Sequence, residues 1–265
     1  MLNHEGFDLW ADTYDRSTAC SDESGSYPFA GYSVVLQDIF RRVLSHGAGD
    51  VLDIGFGTGV LTARLYEQGC RVWGQDFSGK MVALAQEKMP SAVLYCGDFT
   101  AGLAEPLTQR QYDAIIATYS LHHLTDQQKI AFIRSLLPLL RKDACLYIGD
   151  IAFQTRADLN RCKLAAGDAW DADEIYFVFD ELRQLFPQMT FLPLSTCAGV
   201  LTLQRLYAKS RCIAAAFFHA RSLSGPPICP VPSQYSGSRS PARSRSLSRM
   251  QSSGDFPCPP PAAAA

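Results

Sequence analysis

The stretch Val51-Leu-Asp-Ile-Gly-Phe-Gly-Thr-Gly59 is a short apolar run that leads into a glycine-rich turn, and a helical segment begins near Val60. A strand, a tight glycine turn and a helix in this order form the nucleotide-facing corner of an α/β sheet. Glycines suit such a turn because it requires backbone angles that a Cβ disfavours, and because a ligand must approach the main chain closely. The stretch therefore predicts an α/β fold with a ligand site at the turn.

The spacing of the glycines separates two classes of nucleotide ligand. A dinucleotide fingerprint, G-x-G-x-x-G, that starts with Gly55 and Gly57 requires its third glycine at position 60, where the chain has Val60. The third glycine is instead Gly59, and an acid, Asp53, precedes Gly55 by two residues. This D-x-G-x-G pattern opposes a NAD-dependent oxidoreductase, which we keep as an alternative.

Apolar runs alternate with helical stripes along most of the chain. After the run at Val51, the predicted strands are Arg71–Asp76, Ala92–Cys96, Tyr112–Thr118, Ala144–Gly149, Thr190–Leu194 and Gly199–Leu203. This alternation predicts a parallel sheet with helices on both faces, and the short distance between the last two strands predicts a hairpin. We therefore predict an α/β fold with a seven-stranded, mostly parallel sheet and a C-terminal antiparallel hairpin.

Six helices are predicted around these strands. They begin near Leu36, Val60, Ser78, Thr125, Arg156 and Asp173, and they end near Gly47, Gly69, Pro90, Pro138, Ala166 and Phe186. Thr125 and Gln128 form a T-x-x-Q capping box at the start of the fourth helix, and Pro138 should shorten that helix. Ser78 is a candidate N-cap of the third helix.

Composition divides the chain into three parts. Apolar residues from Phe7 to Tyr14 recur at helical spacing, so residues 1–49 are predicted to form a helical lid and a packing helix. Residues 50–206 hold the predicted strands and form the α/β domain. Residues 207–265 are rich in Ser, Pro and Arg without apolar periodicity, which predicts a disordered tail, with a basic partner-binding arm as the alternative.

Charge narrows the class of partner. Residues 205–265 contain eight basic residues and one acid, a charge of +7, and because the whole chain is −2, residues 1–204 carry −9. A domain this acidic binds nucleic acid poorly, because Lys and Arg must replace the counterions of the phosphate backbone. We therefore expect a small-molecule partner and no nucleic acid.

The cysteine content indicates whether a metal site is expected, and the hydropathy of the chain indicates its cellular location. The nine cysteines are scattered without a C-x-x-C pair, which indicates neither a disulfide framework nor a zinc site, so no metal is expected. The N-terminus lacks a basic region followed by an apolar core, and the chain has no run of about 18 apolar residues. We expect a cytoplasmic protein without a membrane partner, and the sequence leaves its oligomeric state open.

D-x-G-x-G at the end of a first strand resembles the nucleotide loop of class I S-adenosylmethionine-dependent methyltransferases, which have a Rossmann-like fold with seven strands. The resemblance covers most of residues 7–204, and it is closest to small-molecule methyltransferases with an aromatic N-terminal lid. It implies S-adenosyl-L-methionine as the cofactor. Gly55, Gly57 and Gly59 would lie under the methionine part, and Asp53 would hold its amino group.

The same resemblance implies roles for residues after the loop. Asp76 ends the second predicted strand about 20 residues past Gly55, the spacing at which an acid accepts hydrogen bonds from ribose hydroxyls. Asp98 would accept from the adenine amine, with Phe99 or Phe77 bordering the ring. The other implied cofactor-binding residues are Tyr14, Met81 and Thr118, and the implied substrate lid consists of Tyr27, Phe29 and Tyr32.

Two histidines leave the C-terminal end of the fourth predicted strand in Thr118-Tyr-Ser-Leu-His-His-Leu124, where ligands bind in such sheets. His122 or His123 is a candidate catalytic base, because a neutral imidazole can take a proton from an acceptor hydroxyl or amine near pH 7. The alternative is that both histidines only shape the loop.

Two further functions are compatible with parts of the sequence. The glycine loop alone permits a non-catalytic S-adenosylmethionine-binding module. An RNA methyltransferase is opposed by the −9 charge and by Thr118-Tyr-Ser-Leu, which replaces the Asn-Pro-Pro-Tyr type of motif after the fourth strand. The sequence therefore predicts an enzyme that methylates a small-molecule acceptor.

Overall fold

The structure is a computed structural model that describes residues 27–205. The helix predicted from Phe7 to Tyr14 and the tail predicted over residues 207–265 lie outside this range, and both remain predictions. Among residues 27–205, no helix is long and apolar enough to cross a membrane.

Eight strands form one mixed sheet. They are β1 (Asp50–Ile54), β2 (Arg71–Asp76), β3 (Val93–Cys96), β4 (Tyr112–Thr118), β5 (Leu140–Phe153), β6 (Phe177–Val178), β7 (Thr190–Pro193) and β8 (Ala198–Gln204). Their order is β3-β2-β1-β4-β5-β8-β7, and β6 pairs with the end of β5. Strands β1 to β5 are parallel, whereas β8 is antiparallel to both β5 and β7. The predicted parallel sheet and C-terminal hairpin are confirmed.

Seven α-helices accompany the sheet in the described part of the chain. They are α1 (Tyr32–Ser45), α2 (Val60–Glu67), α3 (Gly79–Lys88), α4 (Glu105–Thr108), α5 (Asp126–Leu136), α6 (Arg156–Ala166) and α7 (Phe179–Leu185). Short 3-10 turns cover Phe99–Ala101, Leu121–His123, Leu137–Leu139 and Gly167–Ala169.

Apolar side chains cover both faces of the sheet. On β1, Leu52 and Ile54 belong to one buried cluster and Val51 to another, as expected for a central parallel strand. Helices α4, α5 and α7 contribute to the first cluster, and α1, α2 and α6 contribute to the second. Because full burial of one Leu or Ile side chain stabilises a fold by about 1.5–3 kcal/mol, these two layers hold β1 and the turn after it in place.

Helix ends in the structure follow the local signals in the sequence. The Ser78 side chain accepts a hydrogen bond from Met81 N at 3.2 Å and caps α3. Thr125 and Gln128 form the predicted capping box at the start of α5. Helix α5 ends at Leu136, before the 3-10 turn that contains Pro138, so the predicted effect of the proline is confirmed.

Two predicted boundaries are wrong, and long-range pairing explains both. The helix predicted from Asp173 begins only at Phe179, because Phe177 and Val178 pair as β6 with the end of β5. Strand β5 was predicted over residues 144–149 but spans Leu140–Phe153, since it pairs with β4, β6 and β8. The extra strand β6 raises the predicted count from seven to eight.

The strand order places a crevice at the centre of the sheet. From β1 the chain passes to β2 and β3 on one side, and then returns to β4 on the other side of β1. In open α/β sheets, ligands bind outside the carboxyl ends of the strands at such a reversal. The ligand site is therefore expected beside the ends of β1 and β4.

Candidate active site

A cavity lies at the carboxyl ends of β1, β2 and β4. Concave sites of this kind are where small-molecule ligands usually bind. Ten residues predicted for the site line it: Tyr32, Gly55, Gly57, Asp76, Phe77, Met81, Asp98, Phe99, Thr118 and His123. The other lining residues, which the sequence analysis missed, are Leu36, Phe56, Thr58, Val60, Leu61, Thr100, Tyr119 and Ser120. The segments named in the sequence thus converge on one cavity.

The glycine turn forms one side of the cavity, and two of its glycines are needed for different reasons. Gly55 has φ +67°, and a Cβ there would lie 2.5 Å from Ser120 Cβ. Gly57 has φ +56°, and no atom of residues 27–205 lies within 4 Å of such a Cβ. Gly59 does not line the cavity; it precedes α2, and a Cβ there would lie 3.2 Å from Met89 Cε.

Asp76 joins the end of β2 to the glycine turn. Its Oδ2 accepts a hydrogen bond from Gly57 N at 2.8 Å, and its Oδ1 accepts one from Ser78 N at 3.0 Å. The residue is 6% exposed and lines the cavity. Because each carboxylate oxygen has two lone pairs, Asp76 can accept further hydrogen bonds from a ligand.

Asp53 lies behind the turn rather than on the cavity wall. It is 1% exposed, and its Oδ2 accepts a hydrogen bond from the Thr62 hydroxyl. Among residues 27–205, its Oδ1 has no hydrogen-bond partner. Burial raises the pKa of the Asp53 carboxyl to about 7, although the Thr62 hydrogen bond lowers it. A buried oxygen without a partner destabilises the fold, so this atom fits a ligand that brings a donor, such as an amino group. Residues 53–59 and Asp76 are called the glycine-loop side below.

The histidines occupy a 3-10 turn after β4, and the structure gives them different positions. His122 is 5% exposed and does not line the cavity, whereas His123 does. Asp150 Oδ1 lies 2.7 Å from His122 Nδ1, and Glu174 Oε1 lies 3.4 Å from His122 Nε2. We call His122, His123, Asp150 and Glu174 the histidine side.

The electrostatic environments of the two imidazoles differ as well. Burial alone would lower the pKa of His122, but the Asp150 and Glu174 carboxylates outweigh it, and the pKa is raised. Burial, assisted by the neighbouring His122, lowers the pKa of His123 to about 4. The imidazole that lines the cavity is therefore neutral near pH 7, and the buried one is held between two carboxylates.

Glu174 is connected to the start of the described chain by a row of hydrogen bonds. Asp171 N donates to the Tyr27 hydroxyl at 3.0 Å, the Tyr27 and Tyr176 hydroxyls are hydrogen-bonded, and Tyr176 donates to Glu174 Oε2 at 2.7 Å. The Tyr27 ring also stacks on Trp170, with ring centroids 5.1 Å apart. These contacts hold the segment before β6 against the histidines.

The three residues proposed as a lid do not share one place. Tyr32 lines the cavity, and its ring lies 4.9 Å from that of Tyr119. Phe29 packs on Tyr32 and Tyr119 and belongs to the apolar layer around α1. Tyr27 lies with Tyr176 and does not line the cavity. The remaining predicted cofactor-binding residue, Tyr14, lies outside the described residues.

Asp150, Glu174 and Tyr176 were not predicted from the sequence. Asp150 follows the predicted strand end at Gly149, so its position at a carboxyl edge was a usable signal. Glu174 and Tyr176 fall within a segment that was predicted as helix, and no local pattern marks them. The expectation of no metal stays a prediction, although His122, His123 and Glu174 each offer one possible ligand atom, all within 4.8 Å of one another.

Comparison with known proteins identifies the family. A family model described as a methyltransferase domain matches residues 51–143. An uncharacterized methyltransferase of Geobacillus sp. (strain WCH70) is 37% identical over 193 residues, which cover 70% of this chain and 87% of the relative. An uncharacterized methyltransferase of Bacillus pumilus (strain SAFR-032) is 34% identical over 192 residues, with 70% and 87% covered.

Solved structures show the same fold at lower identity. Magnesium protoporphyrin IX methyltransferase from Synechocystis PCC 6803 with bound SAH matches with a TM-score of 0.54 and 22% identity, over 67% of this chain and 85% of that one. The DhpI–SAH complex matches with a TM-score of 0.56 and 18% identity, over 75% and 93%.

These likenesses agree with the glycine turn, whose third glycine is at position 59 rather than 60, and they do not support the dinucleotide alternative. The relative at 37% identity extends over 70% of the chain, well beyond the turn itself. The chain belongs to the class I S-adenosylmethionine-dependent methyltransferase family.

Proposed function

We propose that this enzyme methylates a small-molecule acceptor inside the cavity at the ends of β1, β2 and β4. The observation that carries the proposal is the Asp76 carboxylate, which lines the cavity and accepts from Gly57 N at 2.8 Å. An acid at the end of a second strand, anchored beside a glycine turn, is positioned to accept hydrogen bonds from ribose hydroxyls. S-adenosylmethionine bound there would supply the methyl group.

The glycine-loop side and the segment after β3 together offer a partner for each part of such a ligand. Asp76 would accept from the ribose, and Asp98, which also lines the cavity, from the adenine amine, with Phe99 beside the ring. Asp53 Oδ1, which lacks a partner among residues 27–205, would accept from the amino group. Among these residues, Asp76 has the most specific role, because it both holds the turn and faces the cavity.

The acceptor would occupy the part of the cavity lined by aromatic and apolar groups. Tyr32, Leu36 and Tyr119 line it together with one imidazole, that of His123. Small-molecule sites combine such apolar walls with few polar groups that set orientation. This composition and the −9 charge of residues 1–204 support a small molecule over a nucleic acid.

Catalysis by these residues is mainly a matter of alignment. Holding a donor and an acceptor in line can lower a barrier by about 7–11 kcal/mol in favourable cases. His123 is the candidate catalytic residue because it lines the cavity, whereas His122 lies behind it and is a positioning residue. The cytoplasmic location and the absence of a nucleic-acid partner remain predictions from the sequence.

Calorimetric titration with S-adenosylhomocysteine tests the proposal. Hydrogen bonds to a charged group contribute roughly 1.5–3 kcal/mol each, so Asp76→Ala should weaken binding at least about tenfold. Asp76→Asn should lose less, because its carbonyl oxygen still accepts. Glu67→Ala removes an exposed carboxylate at the end of α2 and serves as the matched control.

Thermal unfolding of each variant separates a binding defect from a folding defect, since Asp76 also holds the turn. The parent protein should show no comparable affinity for NAD. Tight NAD binding, or unchanged S-adenosylhomocysteine binding by a folded Asp76→Ala protein, would contradict the assignment. Screening metabolites for S-adenosylhomocysteine release would then identify the acceptor.

A further inference from the structure

We propose that His122, His123 and Glu174 bind one divalent transition-metal ion of the Zn²⁺ type at the edge of the cavity. Each residue offers one ligand atom, and these atoms lie within 4.8 Å of one another. Two imidazoles and one carboxylate form a ligand set used by catalytic zinc sites, which keep a further position for water or substrate. The role suggested below for this ion rests on the proposed function, whereas the site itself does not.

The spacing of two ligand atoms fits an ion. His122 Nε2 lies 3.4 Å from Glu174 Oε1, which is longer than the roughly 2.7–2.9 Å of a charge-assisted hydrogen bond. Metal–ligand bonds of about 2.0–2.1 Å at tetrahedral angles place two ligand atoms about 3.3–3.4 Å apart. The pair is therefore already at the separation that a tetrahedral ion requires, and the His123 ring, 4.2 Å from that of His122 between centroids, has to approach.

Outer hydrogen bonds orient two of the three ligands. Asp150 Oδ1 lies 2.7 Å from His122 Nδ1 and also accepts from Ile151 N at 2.8 Å. With a proton on Nδ1, the lone pair of Nε2 is directed away from Asp150, on the ring edge that faces Glu174. Tyr176 donates to Glu174 Oε2 at 2.7 Å and leaves Oε1 for the ion. Carboxylate–histidine–metal arrangements with hydrogen-bonded carboxylate ligands are usual at metal sites.

The local charge also favours a cation. The Asp150 and Glu174 carboxylates each lie beside one ring nitrogen of His122, and Asp150 is fully buried. One buried cation, Lys129, lies nearby, but its Nζ donates to Ile175 O and is 3.5 Å from Asp126 Oδ1. Within the described residues, the carboxylates of Asp150 and Glu174 therefore surround the imidazoles without a basic side chain paired to either of them. A divalent ion would offset their charge.

The ion would give the acceptor a defined chemistry. His123 lines the cavity, so a position left open on the ion would border the space assigned to the acceptor. A hydroxyl bound there becomes more acidic: its O–H bond breaks, the electron pair stays on the oxygen, and the proton passes to water. We therefore assign acceptors with a metal-binding hydroxyl to this enzyme.

Metal titration of the full chain, after treatment with a chelator, tests the site. Zn²⁺ should bind with a stoichiometry of one by calorimetry, and Co²⁺ should show the strong visible absorption of a tetrahedral site. Loss of an outer carboxylate typically weakens metal binding roughly 10–100-fold, so Asp150→Asn should fall in that range, and His122→Ala and Glu174→Gln should lose at least as much. His46→Ala, which removes an imidazole at the end of α1, should bind like the parent.

Three outcomes separate the possibilities. A parent protein without the tetrahedral Co²⁺ spectrum would overturn the proposal and leave a protonated His122 between two carboxylates. Equal Zn²⁺ affinity in the His122→Ala and parent proteins would overturn it too, because binding would then belong to other His or Cys residues. Asp76→Ala should keep its metal while losing S-adenosylhomocysteine, so failure of the metal site and failure of the proposed function are distinguishable. Thermal unfolding confirms that each variant is folded.

Discussion

The glycine-loop side and the histidine side of the cavity are assembled in different ways. On the glycine-loop side, Asp53, Gly55 and Gly57 lie within five residues of sequence, and Asp76 bonds to Gly57 across 19 positions. On the histidine side, His122 and Asp150 are 28 positions apart, and Glu174 is reached through Tyr176 and Tyr27, which are 149 positions apart. One side follows from a local motif, whereas the other depends on which strands and loops become neighbours.

The largest change in the free energy of unfolding should come from the titration of Asp53 on the glycine-loop side, because burial raises the pKa of its carboxyl. Because its pKa is about 7 in the fold, against 3.8 for the free side chain, the folded protein holds a proton between these values that the unfolded chain has released. The free energy of unfolding should therefore decrease as pH rises from about 4 to 7, by up to about 1.4 kcal/mol per pH unit, or roughly 4 kcal/mol in all.

Urea unfolding of the ligand-free protein and of Asp53→Asn at several pH values measures this contribution. Asn cannot titrate, so the free energy of unfolding of the variant should not decrease as pH rises from about 4 to 7. The variant should therefore be the more stable protein above pH 7. Parallel pH profiles for the two proteins would mean that Asp53 is ionised throughout. With S-adenosylhomocysteine bound, the ligand's amino group should favour the carboxylate and move the decrease to lower pH.

A smaller loss of unfolding free energy is expected from Gly55→Ala, because Gly55 on the glycine-loop side lies against Ser120, two residues before His122. The new Cβ would lie 2.5 Å from Ser120 Cβ, and the residue keeps φ +67°. Overpacking costs about 1–3 kcal/mol and a left-handed alanine about 1–2 kcal/mol, so urea unfolding should show a loss of about 3 kcal/mol.

Gly57→Ala is the matched control for this substitution. It keeps the positive φ but meets no atom of the described residues within 4 Å, so we expect only the backbone cost of about 1 kcal/mol. Equal losses in the two variants would mean that Ser120 moves aside, and that its close approach to Gly55 does not constrain the turn.

The smallest change in the free energy of unfolding should come from Tyr27→Phe, which alters the hydrogen bonds that lead to Glu174 on the histidine side. The change removes the hydroxyl that accepts from Asp171 N and bonds to Tyr176, at a cost of about 1 kcal/mol of unfolding free energy. Since Tyr27 does not line the cavity, S-adenosylhomocysteine affinity should stay within about twofold of the parent, below roughly 0.5 kcal/mol.

Tyr66→Phe removes a hydroxyl bonded to Ser91, neither of which lines the cavity, and controls for the loss of a surface hydrogen bond. A tenfold loss of S-adenosylhomocysteine affinity in Tyr27→Phe alone would show that the two sides are energetically coupled.

The same comparison explains how far the sequence could predict the site. Strand, glycine and capping signals act over a few residues, so the turn, the capping box at Thr125 and ten residues that line the cavity could be predicted. The start predicted for the last helix, Asp173, was wrong because Phe177 and Val178 are buried in a strand, whereas the helix itself exists over Phe179–Leu185. Pairing of Phe177 with β5 decided between helix and strand.

By itself, the sequence determined the chemistry of the glycine-loop side, because the positive φ of Gly55 and Gly57 and the position of Asp53 are set within one strand and its turn. Only the tertiary structure decided what surrounds the histidines. Ile175 N donates to His122 O at 2.9 Å, and this contact brings Glu174 to the imidazole from a segment without a local signal. The physical reason is that a backbone turn is determined by its own residues, whereas a side-chain cluster exists only after distant segments have packed.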